Sequence, residues 1–385
     1  MEKNLRKAAG SLLVVGLGGM ELTGLERAWL RLVRPAGVVL FKRNISDPEQ
    51  TRALVDEATG LSAKHSARFV DVEGGTVNRF RDALTPMPSA QAVARADAKL
   101  GPRRGSKSGG TLAREHGQLI GRAVKAFGFN TTLAPVVDLA LPVSAEVMGT
   151  RAPAADPAGV VAFTRDFLAG LAAEGVAGCG KHFPGLGSAS GDTHFVTPEI
   201  RRTFKEIWDE DLVPYRELHK QMPMIMTNHA AYPETKSRNV PASASPFWNS
   251  TVLRKQIGYR GLILTDDLEM GGILKFMPIE EAAVTVVRAG SDLLEICHSV
   301  ELILRTFEAL IAEAEKSTAF NKLLLRRATE VERKRAQLFK GIPKALTTKQ
   351  FETLGERVNR FREKVTNLSE SDSVTPRATA PAEHV

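Results

Sequence analysis

The residues best able to do chemistry sit where short apolar runs stop. LILTDD ends in Asp266 and Asp267, GCGKHF contains Lys181 and His182, RFVDVE ends in Asp71 and Glu73, PVVDL carries Asp138, and MTNHA carries Asn228 and His229. Asp266 follows residues expected to be buried, so its carboxylate faces a concave pocket. There it suits a nucleophile or an electrostatic stabiliser of a positive centre. Asp267 alternates to the other side of the strand or caps the next helix. A second group lies in GKHFPGLGSASGDTHF, residues 180–195. Asp192 precedes His194 by two residues, a spacing that lets the carboxylate accept from one ring nitrogen and fix the imidazole tautomer. Such a pair is a general acid/base for near-neutral pH, and Gly185, Gly187 and Gly191 would let its loop swing over a bound substrate.

The elements that must position these groups follow a rhythm. Eight apolar, β-branched runs recur at 11–17, 37–42, 68–73, 131–139, 175–183, 224–230, 261–267 and 292–297, with helical periodicity between them at 48–61, 111–127, 157–174 and 279–289. Continuous rather than alternating apolar runs mean burial on both faces, the mark of a parallel sheet covered by helices. Eight strands alternating with helices predict an α/β fold, a (β/α)8 TIM-type barrel, with a C-terminal helical extension. A doubly wound sheet is the alternative, but GLGGMELTG after the first run lacks the GxGxxG spacing of a dinucleotide site. In such a barrel the C-terminal strand ends carry the site, and the polar set above lies there. The opposite ends, at Ser11, Gly175 and Gly261, show no such cluster.

The expected organisation is a barrel over 1–340, a helical extension over 341–368 and a disordered, Pro/Ala/Thr-rich tail over 369–385. Cys179 and Cys297 both sit in apolar runs and are expected as buried free thiols of a reducing, cytoplasmic compartment. The formal net charge of +8 resides in residues 321–340, with seven Lys/Arg against two Glu, and in 98–111, with four basic residues and no acid. The first is expected as the solvated face of a helix, the second as a Gly/Ser-rich loop. Neither interleaves aromatics, so no nucleic-acid partner is expected. The opening MEKNLRKAAGSLLVVGLGG is expected to form a first buried strand rather than a secretion signal, and no run is long enough to span a membrane. The chain is expected to work as a monomer without a cofactor. A metal-dependent barrel hydrolase using His182, His194, His229 and Asp266 is disfavoured because 13–18 read LVVGLG, without an HxH pair.

KHFPGLG with DTH after a four-residue gap resembles the loop signature of bacterial β-N-acetylhexosaminidases of glycoside hydrolase family 3. GVVLFKRN, DVEGGTVNRF, FNTTLAPVVDLA, MGTRAPAADP, MTNHAAYP, GYRGLILTDDLEMGG and AGSDLLEIC agree in order and spacing over residues 10–300. The resemblance implies Asp266 as the nucleophile of a glycosyl-enzyme and His194, oriented by Asp192, as acid/base. It implies Asp71, Arg79, Arg151, Lys181 and His182 as binders of a small carbohydrate, a GlcNAc glycoside such as a peptidoglycan fragment. Leu186, Thr76 and the segment RAPAADP depart from the common pattern and bear on substrate preference. Another sugar specificity, phosphorolysis and a non-catalytic sugar-binding barrel stay open on the sequence alone.

Overall fold

The computed structural model describes residues 2–101, 111–189, 191 and 197–369. Eight parallel strands close a barrel: β1 (Leu13–Gly16), β2 (Gly37–Leu40), β3 (Ala67–Val70), β4 (Thr131–Thr132), β5 (Ala177–Phe183), β6 (Met224–Thr227), β7 (Leu262–Asp267) and β8 (Leu293–Ile296). Each pairs with its sequence neighbours, and β1 closes on β8 with Leu13 opposite Leu294. Seven strands fall inside their apolar runs, and β3 begins one residue ahead of its own, at Ala67. The fourth run contributes only two ladder residues, and Pro135, which has no N–H to donate, follows three residues on. Past it the backbone stays beside β5 through bonds from Cys179 N to Ala134 O (2.8 Å) and from Val137 N to Lys181 O (2.6 Å), and so still delivers Asp138 to the rim.

Inside the barrel Val14, Val39, Phe69, Cys179, Met226 and Leu264 fill the space, while their strand neighbours Val15, Val38, Leu40, Val70, Leu294 and Ile296 face outward against helices. Glu295 is the interior exception, lying between Leu293 and Cys297, which both belong to the interior cluster. The intervening helices begin where their caps require. Asp47 accepts from Glu49 N and Gln50 N ahead of Pro48, and Asp156 accepts from Gly159 N ahead of Pro157.

Three elements extend this frame. A helix over Glu2–Gly10, not foreseen from the apolar pattern, precedes β1 and packs on the helices Val300–Lys316 and Thr318–Leu338. The helix Thr318–Leu338 is not simply a solvated basic face. It crosses the N-terminal end of the barrel, where Arg335, 1% exposed, donates to Ala36 O and Lys64 O at 3.0 Å each, and Arg327 and Lys334 converge on buried Asp292. Orphan carbonyls and a buried carboxylate at a barrel floor need such donors. The helix Thr348–Ser369 buries Leu354, Val358, Phe361 and Val365 against the helices Ala90–Leu100 and Leu112–Ala126. No helix among the described residues is long and apolar enough to cross a membrane.

His116 sits at the heart of that last contact. It is fully buried with neither ring nitrogen hydrogen-bonded, stacked on Phe361 (5.8 Å between centroids) and edge-on to Phe167 (5.4 Å). Burial pushes its pKa down to about 3, so the folded state holds it neutral. Its stabilising contribution is therefore complete above the ordinary histidine pKa and is lost as the pH falls from about 6.5 toward 3. The shift corresponds to roughly 5 kcal/mol at the acid limit. His116→Leu should flatten the pH dependence of the urea-unfolding free energy between pH 6 and 4; an unchanged slope would show that His116 is not the group that titrates.

Candidate active site

β3 ends at Val70, and the chain turns at Asp71 into a short antiparallel hairpin, Val72–Gly74 paired with Val77–Asn78. This hairpin folds back over the barrel mouth. Gly74 makes that possible: its φ is +95°, and a β-carbon there would lie 2.9 Å from His116 Nε2 and within overlap of Pro88 O. Glu73 thereby points into the mouth, 4% exposed, and meets two cations. Arg151 grips it as a fork, Nε to Oε2 at 2.9 Å and Nη2 to Oε1 at 2.8 Å, while Lys181 Nζ, at the end of β5, lies 2.7 Å from Oε1. Lys181 also donates to Asp71 Oδ1 at 2.9 Å, and Arg79 Nη2 stands 3.6 Å from Asp71 Oδ2.

The electrostatics follow from this sharing. Burial pushes the Glu73 carboxyl up, but Arg151 and Lys181 together outweigh it and hold the group well below the usual carboxylate range. Burial likewise opposes the charge on Lys181, and Asp71 and Glu73 override it, keeping the ammonium charged. The neighbouring imidazole is fixed just as firmly. His182 Nδ1 donates to Asp138 Oδ2 at 2.7 Å, which leaves Nε2 facing Arg151 Nη2 at 3.5 Å. Asp138, 1% exposed, also accepts from His182 N and, through Oδ1, from Leu186 N at 2.7 Å. Asn228 at the end of β6 donates to His182 O at 3.0 Å and to Tyr232 Oη at 2.9 Å.

Asp266 is at the C-terminal end of β7, half-buried, with Oδ1 accepting from Asp267 N at 3.0 Å. Asp267 does not cap a helix: its Oδ1 accepts from Glu269 N in a local turn, and the next helix starts only at Gly271. Burial and the neighbouring Glu269 push Asp267 up to about 7. His229 is committed elsewhere, bonding Ser243 Oγ (2.7 Å) and Asp267 O (3.0 Å), so neither it nor His182 points a bare nitrogen at a common metal. Among the described residues a different trio, Asp267, Cys297 and His298, has its ligand atoms within 4.8 Å of one another.

Asp71, Arg79, Arg151, Lys181 and His182 thus converge on one patch of the barrel mouth, the rim that also carries Asp266. Asp192 and His194 lie outside the described residues, as do residues 102–110 of the basic loop and the tail from 370 on. The segment that holds the pair is anchored at both ends. Leu186 is tied to Asp138, and Thr197 Oγ1 donates to Gly272 O at 2.7 Å. A profile of the glycosyl hydrolase family 3 N-terminal domain matches residues 5–368.

The chain belongs to glycosyl hydrolase family 3.

Within the family, a β-hexosaminidase of Methylococcus capsulatus is 36% identical over 295 residues, 76% of this chain and 85% of that protein. One of Idiomarina loihiensis is 32% identical over 315 residues, 81% and 92% of the two chains. Among solved structures, a family 3 β-N-acetylglucosaminidase from Paenibacillus sp. superposes with a TM-score of 0.81 at 27% identity, covering 93% of this chain and 68% of that one. NagZ from Neisseria gonorrhoeae in complex with N-trifluoroacetyl-D-glucosamine gives 0.73 at 26% identity, covering 94% and 98%. The chain is therefore a glycoside hydrolase.

Glu73, Asp138 and Asn228 complete the mouth, and their position at the close of an apolar run is the one sequence signal they give; neither spacing nor resemblance assigns them a role. Arg202 and Asp211 give no such signal, yet they brace the loop after β5 through a 2.6 Å ion pair. A β-carbon on Gly185 would collide with Asp211 at 2.8 Å, so the loop packs directly on that carboxylate. Glu73→Gln would leave two buried cations sharing only Asp71. It should lower the urea-unfolding free energy by about 3 kcal/mol, and a loss below about 1 kcal/mol would mean that Glu73 is not what compensates Lys181 and Arg151.

Proposed function

We propose that the protein is a retaining β-N-acetylhexosaminidase that releases terminal GlcNAc from β-glycosides, peptidoglycan fragments among them, in the cytoplasm. The observation that carries this reading is Asp266 at the end of β7, across the barrel mouth from an ion-paired cradle whose donors and acceptors are already oriented. Lys181, Arg79 and Arg151 supply N–H donors and Asp71 supplies acceptors, the complement a polyhydroxylated ring needs. Because Glu73 compensates much of the cradle's positive charge, the site can bind a neutral sugar without drawing anions indiscriminately. The names of the related β-hexosaminidases support the sugar class. Both cysteines are buried free thiols, which fits a reducing compartment.

In the first step the Asp266 carboxylate attacks the anomeric carbon while protonated His194 gives its proton to the departing glycosidic oxygen. The transition state carries oxocarbenium character, which the Asp266 charge stabilises. In the second step neutral His194 takes a proton from water. That water attacks the anomeric carbon, expels Asp266 and leaves the configuration retained. Asp192 holds the His194 tautomer and stabilises the imidazolium. The tether from Thr197 to Gly272 supports this pairing, since Thr197 lies three residues after His194 and Gly272 six after Asp266, which brings the chain leaving the loop to the short helix after β7. His182, committed to Asp138 and Arg151, is a positioning and binding group rather than a second base.

Asp266→Ala should reduce release of nitrophenol from the nitrophenyl β-glycoside of GlcNAc by on the order of 10⁴-fold; activity within tenfold of the parent would remove Asp266 from the role. His194→Ala should slow alkyl glycosides by roughly 10² to 10⁴-fold while sparing aryl glycosides with good leaving groups. Equal losses on both would give His194 a structural role. In a panel of nitrophenyl β-glycosides of GlcNAc, glucose and xylose, GlcNAc should be hydrolysed fastest, and a preference for either other sugar would reassign the substrate.

A further inference from the structure

Beside Asp266 the barrel ladder is irregular. β7 and β8 are neighbours, and their register slips between the pairs Leu293–Leu264 and Glu295–Asp267, two residues on β8 facing three on β7. Such a bulge re-aims the side chains beyond it. Asp267, which strict alternation would send to the opposite face, comes instead to the β8 side. There its carboxylate lies within 4.8 Å of the Cys297 sulfur, and His298 Nε2 stands 3.7 Å from Asp267 Oδ2.

We propose that Asp267, Cys297 and His298 form a binding site for one borderline-soft divalent cation of the zinc class, separate from the catalytic pair. The three ligand atoms already lie within 4.8 Å of one another. Ligands about 2.0 to 2.3 Å from a tetrahedral ion stand roughly 3.5 Å apart, so small side-chain movements complete the set. Two of the donors are buried, and the third, His298, is exposed beside them. Asp267 and Cys297 are 8% and 2% exposed at strand ends, His298 N and Ser299 N both bond Glu269 Oε1 (2.9 and 2.8 Å), and the His298 ring packs 5.3 Å from Phe41.

A second observation points to a cation. Glu295 shares the interior face with Cys297, is 2% exposed, and its Oε2 is buried without a hydrogen-bond partner. Together with Asp266, Asp267 and Glu269 it crowds carboxylates around this corner, far more acid than a single nucleophile calls for. Arg43 is close by, but its Nη2 is spent on Cys297 O at 2.7 Å. Burial and the neighbouring carboxylates push the Glu295 carboxyl well up, so it sits protonated with a buried oxygen unpartnered, and a divalent ion beside it would ease the crowding that holds it there. One sulfur, one imidazole nitrogen and one carboxylate oxygen select zinc-class ions over magnesium or calcium, and three protein ligands leave a fourth position open to water. Binding displaces the thiol proton to solvent. If Asp266 is the nucleophile, the ion is inhibitory, because it pulls on the residue whose backbone N–H holds the Asp266 carboxylate.

Titration of the metal-free full chain with Co(II) tests this independently of activity. One equivalent should produce a sulfur-to-cobalt charge-transfer band in the near ultraviolet that Zn(II) abolishes. Cys297→Ser should lack the band, and His298→Asn should weaken Zn(II) binding by calorimetry roughly tenfold or more, with circular dichroism confirming that both variants are folded. Absence of the band in the parent protein would overturn the site. So would its persistence in Cys297→Ser, which would place the thiolate at Cys179, and so would unchanged Zn(II) affinity in both variants, which would place the ion at other residues.

Discussion

A carboxylate inside a protein either takes up a proton or recruits cations, and Glu73 recruits two. Its bonds to Arg151 and Lys181 join three stretches of chain far apart in sequence: the hairpin after β3, the segment after Met148 and the end of β5. Ion pairs of this kind rarely add much stability, because desolvation offsets most of the attraction. Their value here is positional. With both cations compensated, Lys181 can sit 3% exposed against Asp71, Arg151 can face His182, and the barrel mouth holds a preformed set of donors and acceptors. The rest of the site inherits its geometry from that arrangement.

The fold serves the same end from beneath and from the side. Gly74 has its unusual backbone because the hairpin must press against His116, and His116 is in turn enclosed by Phe163, Phe167 and Phe361. The C-terminal helix that supplies Phe361 is thus coupled to the hairpin that supplies Glu73, although the two lie almost three hundred residues apart. At the opposite end Arg335 and the cations around Asp292 close the barrel floor. The positive charge that looks like a surface property in the sequence is partly spent on these internal tasks.

The architecture is legible in the sequence because its signal is repetitive. Eight continuous apolar runs alternating with helical segments allow few folds, and each run overlaps its strand. Local rules fail where tertiary demands override them. β4 keeps only two ladder residues although its run extends to 139, the Glu2–Gly10 helix is held by packing on distant helices, and Asp267 turns because of a bulge that depends on the facing strand. Among the candidate site residues, those ending an apolar run stand out in the sequence, Asp71, Lys181, His182 and Asp266 among them. Arg151 and Arg79 rest on motif resemblance, since nothing local marks an arginine as facing a pocket. Arg202 and Asp211 are invisible because their role exists only once the loop after β5 has folded onto them.

The central claim is that a sugar becomes covalently attached to Asp266 during turnover. Incubation with a 5-fluoro-N-acetylglucosaminyl fluoride, which forms such an intermediate quickly and releases it slowly, followed by peptic digestion and mass spectrometry, tests it most directly. The expected result is one fluoro-glycosyl adduct per chain, on the peptide containing Leu264 to Asp267 and localised by fragmentation to Asp266. An adduct on another residue, or rapid processing of the reagent with no adduct at any time, would contradict it.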